Sequence, residues 1–322
     1  MKNFIITIDT EGDNLWEWDK KSKITTENAG YLLRFQELCN TYHFKPVWLC
    51  DWEMLHDLKF ISFVMNEYEN KNCEIGMHMH PWNTPPFYEL SECKTSGLPY
   101  MKEYPLEIVE KKISIITYEF KRILGFKPVS HRAGRWGIND DIFELLFKYG
   151  YKIDCSITPG IDWSDSVGQM QGVKGPDYTN EIAYPTYRKG IMEVPMSTYE
   201  SSEYYFSTWN SISDLKLRTK YLCNAIKKKK RVLYVRPDGT NIAEMKWIVN
   251  QAKEDENSDY LMFMLHSSEL MPGGSPTFRD VKAIDRLYND IGEIFKIIAE
   301  DYMGTTLNEY FEKRRDDLRS DE

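Results

Sequence analysis

Short apolar blocks alternate with longer amphipathic ones along this chain. The block FIITID (4–9) is apolar and β-rich, as a buried strand should be. A helical period follows over 27–43, then a strand over 45–51 with a proline near its start. The spacing predicts a helix over 58–72, a strand over 73–80 and an amphipathic helix over 106–125 that stops at Gly125. Next come a strand over 127–134, a helix capped by Asn139, and a strand over 152–158. The middle, 159–212, is rich in Gly, Tyr and Ser and contains one strand-like run, 190–197. A helix over 212–231, a strand over 232–238, a helix near 241–254, a strand over 260–268 and a helix over 277–302 complete the pattern. Strands and helices alternate without a composition break. This predicts a single α/β barrel-like domain over 1–312, with a charged tail over 313–322 that should fray.

Two connections are long, 81–105 and 159–190, and both are dense in Pro, Gly and aromatic residues. Loops of that length in a barrel are expected to border a cleft and select its ligand. The 322 residues suffice for one large barrel. A net charge of −9 argues against nucleic acid or anionic membrane as the main partner, and the basic run 227–231 reads as a solvated helix end. No apolar stretch is long enough to span a bilayer. The opening MKNFIITIDTEGD lacks a signal-type apolar region, and the six cysteines form no C-x-x-C pair. A cytoplasmic protein with reduced cysteines is therefore expected. Oligomeric state is not legible here.

Reactive residue types gather where the predicted strands run out, which in a barrel is where chemistry collects. The first strand ends in Asp9 and Glu11, with Asp13 beyond. The third ends in His78 and His80, one residue apart and so on one face of a strand. The fourth ends in His131, Arg132 and Arg135; the next carries Asp154 and Ser156; the late strand ends in His266. Two neutral imidazoles and one carboxylate make a catalytic metal site with open positions. A second carboxylate can act as general base, a separate histidine as general acid, and an arginine can hold the base ionised. That inventory describes metal-assisted hydrolysis of an amide or ester.

These residues resemble the polysaccharide deacetylase family, whose members carry the NodB homology domain. TIDTEGD resembles its first motif, EIGMHMHP its second, HRAGRW its third, DCSITPGIDW its fourth and LMFMLHSSEL its fifth, in the family's order over most of the chain. The resemblance implies a distorted (β/α)7-type barrel, a divalent metal, and removal of acetyl groups from sugars. By motif position it implies Asp9 as base, Glu11, His78 and His80 as metal ligands, Arg132 as the residue orienting the base, His266 as acid and Asp154 as the residue tuning that acid. Zinc is the foremost metal, with cobalt, nickel or iron(II) as alternatives. Two departures stand out. The metal carboxylate lies two residues after the base, which leaves Asp13 a rival, and the histidine motif is shortened to H-x-H.

Because His266 ends an apolar strand it needs an acidic partner, with Asp154 and Asp162 as candidates. Trp82, Trp136 and Trp163 follow the second, third and fourth motifs and, with Arg135, form the expected sugar-binding set. A cytoplasmic member would act on an acetylated sugar, a nucleotide-sugar or a lipid-linked glycan, N-acetyl ahead of O-acetyl. The alternatives are a cyclic amide or ureide hydrolase on the same scaffold and an inactive sugar-binding relative.

Overall fold

Every long strand of this protein is buried on both sides, so its alternate residues serve two different cores. The computed structural model describes residues 1–16, 23–88, 98–201, 215–227 and 229–319. Its strands are β1 (Lys2–Thr10), β2 (Pro46–Cys50), β3 (Glu74–Met79), β4 (Ser130–Ala133), β5 (Ile153–Asp154), β6 (Thr186–Arg188), β7 (Ile191–Glu193), β8 (Tyr199–Ser201), β9 (Arg231–Leu233), β10 (Tyr260–His266) and β11 (Tyr302–Gly304). The helices are α1 (Leu32–Thr41), α2 (Trp52–Leu55), α3 (Leu58–Glu69), α4 (Leu106–Leu124), α5 (Asp140–Lys148), α6 (Leu215–Ile226), α7 (Ile242–Glu254), α8 (Val281–Ile298) and α9 (Leu307–Arg319). The main sheet runs β10-β1-β2-β3-β4-β5-β7-β6, with β11 added beside the start of β1. All its pairings are parallel except β6 with β7. The sheet curls into a half-barrel, the distorted barrel that the alternation of strands and helices predicts.

Side-chain parity assigns each residue to a core. Ile5, Val47, Leu49, Ile153, Cys155, Met192, Tyr260, Met262 and Met264 point into the barrel. Phe4, Ile6, Ile8, Trp48, Ile75, Met77, Leu261, Phe263 and Leu265 point outward and pack under the helices. Continuing the two-residue period along β1, β3, β4 and β10 places Asp9 and Glu11, His78 and His80, Arg132, and His266 on the inner side.

Several elements differ from the pattern expected, β7 among them, which ends at Glu193 rather than 197. β5 is shorter than 152–158, because the Asp154 carboxylate turns the chain by accepting from the Ser156 amide at 2.8 Å. The strand expected over 232–238 ends at Leu233 and pairs with β8 outside the main sheet. Only Val235 reaches the main sheet, bridging Phe263, before Pro237, which has no N–H to donate. The last long helix starts at Val281 rather than 277, since the Asp280 side chain caps it through the Ala283 amide at 2.8 Å. The C-terminal segment forms a helix, Leu307–Arg319, that the pattern did not predict, and residues 320–322 of the expected charged tail lie outside the described residues. Leu307, Tyr310 and Phe311, at helical spacing, bury under the barrel floor. No helix among the described residues is long and apolar enough to cross a membrane.

Candidate active site

Parallel pairing sets the site's frame. Asp9 and His266 are register partners on neighbouring β1 and β10, and His78 and Arg132 are partners on β3 and β4. Their side chains meet at the C-terminal mouth of the barrel. Direct pairing of β1 with β10 therefore brings Asp9 and His266 together.

Glu11, His78 and His80 converge. The Glu11 carboxylate lies 2.7 Å from His80 Nε2 and 3.4 Å from His78 Nε2, and the two ring nitrogens are 3.1 Å apart. All three groups are buried. His78 Nδ1 lies 3.0 Å from the Arg132 carbonyl oxygen, which can only accept. Nδ1 therefore carries a hydrogen, and Nε2 is the ring atom that faces Glu11 and His80. The Glu11 backbone is fixed by Ser267 and Asn28: its amide donates to Ser267 Oγ at 3.1 Å, and its carbonyl accepts from Asn28 Nδ2 at 2.8 Å. Close seating of His80 needs Gly134, because a Cβ there would fall 2.2 Å from His80 Nδ1. Four ligands held tetrahedrally at 2.0–2.1 Å from one zinc ion sit about 3.3 Å apart. The separations within this group fit such an ion, as does its chemistry of two imidazoles and a carboxylate.

Asp13 is turned away from this group. Its carboxylate accepts from Thr25 Oγ1 at 2.5 Å and from the Asn28 amide at 3.2 Å. Asp51, at the end of β2, braces the ligand loops instead, accepting from the Gly12 amide at 3.4 Å and Asn83 Nδ2 at 3.2 Å.

Electrostatics divide the groups by role. Burial would push the Asp9 carboxyl up, but Arg132, with Nη1 at 2.8 Å, and behind it His78 and His266, hold it below the ordinary range. Burial acts on Glu11 in the same direction, and hydrogen bonds from His78 and His80 overcome it and hold the carboxyl well down. Burial pulls both ligand imidazoles down. For His78 the negative charges of Asp9 and Glu11 prevail and raise it, whereas His80 stays lowered.

His266 stands across the mouth, with Nε2 3.9 Å from Asp9 Oδ2 and 3.8 Å from Glu11 Oε1. Its acidic partner is neither Asp154 nor Asp162. Asp154 lies on the outer face of β5, where its carboxylate meets His131 Nδ1 at 2.6 Å, and Asp162 is exposed and accepts from the Ser164 amide. The partner is Glu269, whose carboxylate lies 3.1 Å from His266 Nδ1 and accepts from the His266 amide at 3.0 Å. Burial would raise Glu269, but Arg236 at 3.2 Å, together with His266, holds its carboxyl down.

A cavity of about 190 Å³ opens above these groups. Asp9, Glu11, His78, His80 and His266 form its floor, and Trp16, Trp82, Arg135 and Trp136 its walls. Trp163 does not reach it. Trp163 stacks behind Trp136, with centroids 6.5 Å apart and planes 13° apart, and donates to Thr158 Oγ1 at 2.7 Å. The two long loops touch through Tyr100, whose hydroxyl meets Ser166 Oγ at 2.9 Å, and through Glu103, which accepts from the Gln169 and Met170 amides. Part of the first loop, 89–97, lies outside the described residues.

Sequence reasoning gave no role to Glu269, Arg236 or Trp16. Glu269 had a signal, the H-x-x-E spacing of a capping turn at a strand exit. Arg236 and Trp16 had none, since each arrives from a connection whose path depends on the whole fold.

No protein-family model matches the chain, and no characterised protein matches it by sequence. Solved structures do share its fold. A Mycobacterium smegmatis protein assigned as a polysaccharide deacetylase superposes with a TM-score of 0.55 at 13 % identity, over 98 % of this chain and 91 % of that one. A 4-alpha-glucanotransferase from Thermococcus litoralis gives 0.52 at 16 % identity, over 97 % of this chain but only 40 % of the larger protein. A GH57 branching enzyme from Thermococcus kodakaraensis gives 0.52 at 9 % identity, over 97 % and 71 %.

Proposed function

We propose that the protein is a metal-dependent hydrolase that removes the acetyl group from an acetylated sugar, N-acetyl ahead of O-acetyl. The observation that carries this reading is the buried convergence of Glu11, His78 and His80, with Asp9–Arg132 and His266–Glu269 around the same cavity. Glu11, His78 and His80 would hold a divalent ion, zinc foremost, which would supply Lewis acidity for hydrolysis of the acetyl group. Asp9, kept ionised by Arg132, accepts the proton of the attacking water. His266, held by Glu269, gives a proton to the departing nitrogen or oxygen of the sugar. Trp82, Trp136 and Arg135 hold the sugar, which belongs to a free sugar, a nucleotide-sugar or a lipid-linked glycan. The paired loops 81–105 and 159–190 select among these.

Likeness to a glucanotransferase and a branching enzyme raises glycosyl transfer as a rival. Transfer of that kind uses two carboxyl groups, one of them protonated to act as acid. The carboxyls on the cavity floor, Asp9 and Glu11, are both held ionised, one by Arg132 and the other by two imidazoles. Both surroundings disfavour the protonated carboxyl that such an acid needs.

The test is metal analysis of the purified protein together with acetate release from a panel of N- and O-acetylated sugars. One ion per chain is expected, with acetate release that a chelator abolishes and zinc restores. A protein that binds zinc stoichiometrically yet frees no acetate from any sugar, while opening cyclic amides, overturns the reading.

A further inference from the structure

We infer that the cavity admits a single sugar ring, so that the acetyl group removed belongs to a lone or terminal sugar, with Trp16 as the wall that sets this limit. The inference rests on the deacetylase reading above.

Three tryptophans meet at one cavity, each leaning on a different group of the reactive cluster. The Trp16 ring stands edge-on to His266 at 5.1 Å, and its Nε1–H donates to Ser268 Oγ at 3.1 Å. Trp82 lies 5.3 Å from the His80 ring. Trp136 carries the Arg132 guanidinium 4.8 Å from its ring centroid and is backed by Trp163. Arg135 and Trp136 both adopt left-handed backbone, with φ of 54° and 59°. Non-glycine residues adopt that region only where their surroundings enforce it, and such residues cluster at ligand sites. The wall at Trp136 is thus built at a cost in backbone strain.

The space between these walls is small. Pockets that take drug-sized ligands run to about 300–1,000 Å³, and this one is about 190 Å³. That volume lies below the range that takes ligands of two-ring size and suits one N-acetylated hexose, with its about fifteen non-hydrogen atoms. Tryptophan faces are suited to the apolar C–H face of a pyranose, and their edges close the pocket sideways. Trp16 differs from the other two walls. It is 42 % exposed and is tethered by a hydrogen bond to Ser268 on the His266 side of the cavity, so it is the wall most open to substitution without disturbing the reactive groups.

The test uses the methyl glycoside of N-acetylglucosamine and its five-ring oligomer, with N-acetylgalactosamine and N-acetylmannosamine glycosides as further single-ring probes. Binding to chelator-treated protein is read by tryptophan fluorescence, and acetate per chain is read with the zinc-loaded protein. The expected result is affinity for the oligomer within about threefold of its single ring, and no more than one acetate released per oligomer, from an end ring. Trp16→Ala should weaken single-ring binding about three- to tenfold and allow release of more than one acetate per oligomer. Trp16→Phe, which keeps the ring, should retain the one-acetate limit and guards against a folding defect in the alanine variant. Oligomer binding more than tenfold tighter than the single ring, or release from internal rings by the unaltered protein, overturns the single-ring inference and leaves the deacetylase reading standing. Absence of acetate from every probe, with zinc bound, overturns both.

Discussion

Arg132→Met keeps most of the side chain's length while removing its charge, so it isolates what the Asp9–Arg132 pair contributes. The pair is buried, with 0 % and 5 % side-chain exposure and 2.8 Å between Nη1 and Oδ1. Charge centres about 4 Å apart attract by about 4 kcal/mol at an effective dielectric of about 20. Deleting one member of a buried pair costs about 3–5 kcal/mol, because the other charge stays buried without compensation. The Nε bond to the Cys155 carbonyl at 3.0 Å is lost as well, adding about 1 kcal/mol. Packing should suffer little, since Arg132 Nη2 already lies against the sulfurs of Met196 and Met262, at 3.7 and 3.5 Å. Total stabilities run to about 5–15 kcal/mol, so such a loss is large. Urea unfolding followed by tryptophan fluorescence measures it. Chelator-treated protein is needed, because a bound cation would stand in for the guanidinium. Adding Asp9→Asn should recover most of the loss by replacing the stranded carboxylate with a neutral amide. The sign with pH is set by Asp9. Its folded value lies below its ordinary 3.8, so the pair's contribution is complete above that pH and is lost as pH falls through the folded value. A single variant within about 1 kcal/mol of the unaltered protein, or a double variant no more stable than the single, would refute the reasoning.

Glu269→Gln should lower turnover about 10–100-fold with metal retained, as expected for a group that orients a catalytic side chain. Asp154→Asn should instead lower unfolding stability by about 1–3 kcal/mol through the His131 contact; acetate release per folded molecule that falls further in Asp154→Asn than in Glu269→Gln would reverse the assignment. Gly134→Ala should weaken zinc affinity, read by competition with a colorimetric chelator, because the added methyl displaces the His80 ring; unchanged affinity would show that His80 is not a ligand. Burial lowers the Lys112 ammonium to about 8, where it donates to the Thr84 and Pro86 carbonyls at 2.6 Å each. The unfolded chain then binds the extra proton between about pH 8 and 10.5, so the stability difference between the native protein and Lys112→Met should rise with pH across that window in urea unfolding series. A flat difference would place Lys112 in water.

Much of the architecture was legible because its signals are local. Alternating apolar blocks identify strands, Asn139 and Gly125 bound their helices, and an H-x-H pair on a strand must share a face. The partner of His266 was misjudged for a reason of parity. Arg132 faces into the barrel, so its neighbour His131 faces out, and so does Asp154, the register partner of His131. Counting strand-end residues without assigning faces made Asp154 look like a cleft residue. Trp163 shows a second limit: proximity to a motif in sequence cannot distinguish a wall from the layer behind it. Trp16 shows a third, since where a chain goes after a strand exit depends on tertiary contacts such as the Asn28 and Ser267 bonds around Glu11.

The open side of the half-barrel has a mechanical consequence. Among the described residues, no strand ladder forms between the chain after β7 and the start of β10. The gap is spanned by side chains, with the Met262 amide donating to Ser197 Oγ at 3.0 Å and the Tyr260 hydroxyl donating to the Pro195 carbonyl. The groups that would hold the ion and move protons sit on β1, β3, β4 and β10 or just beyond their ends, in a stretch of sheet whose ladder is unbroken. Amide exchange is therefore expected to be faster along this seam than along β1, β3, β4 and β10, whose ladder holds Glu11, His78, His80, Asp9 and His266 in place. Compliance and precision are thus kept in different parts of one sheet, and substitutions that loosen the seam should change the breathing of the barrel before they change its chemistry.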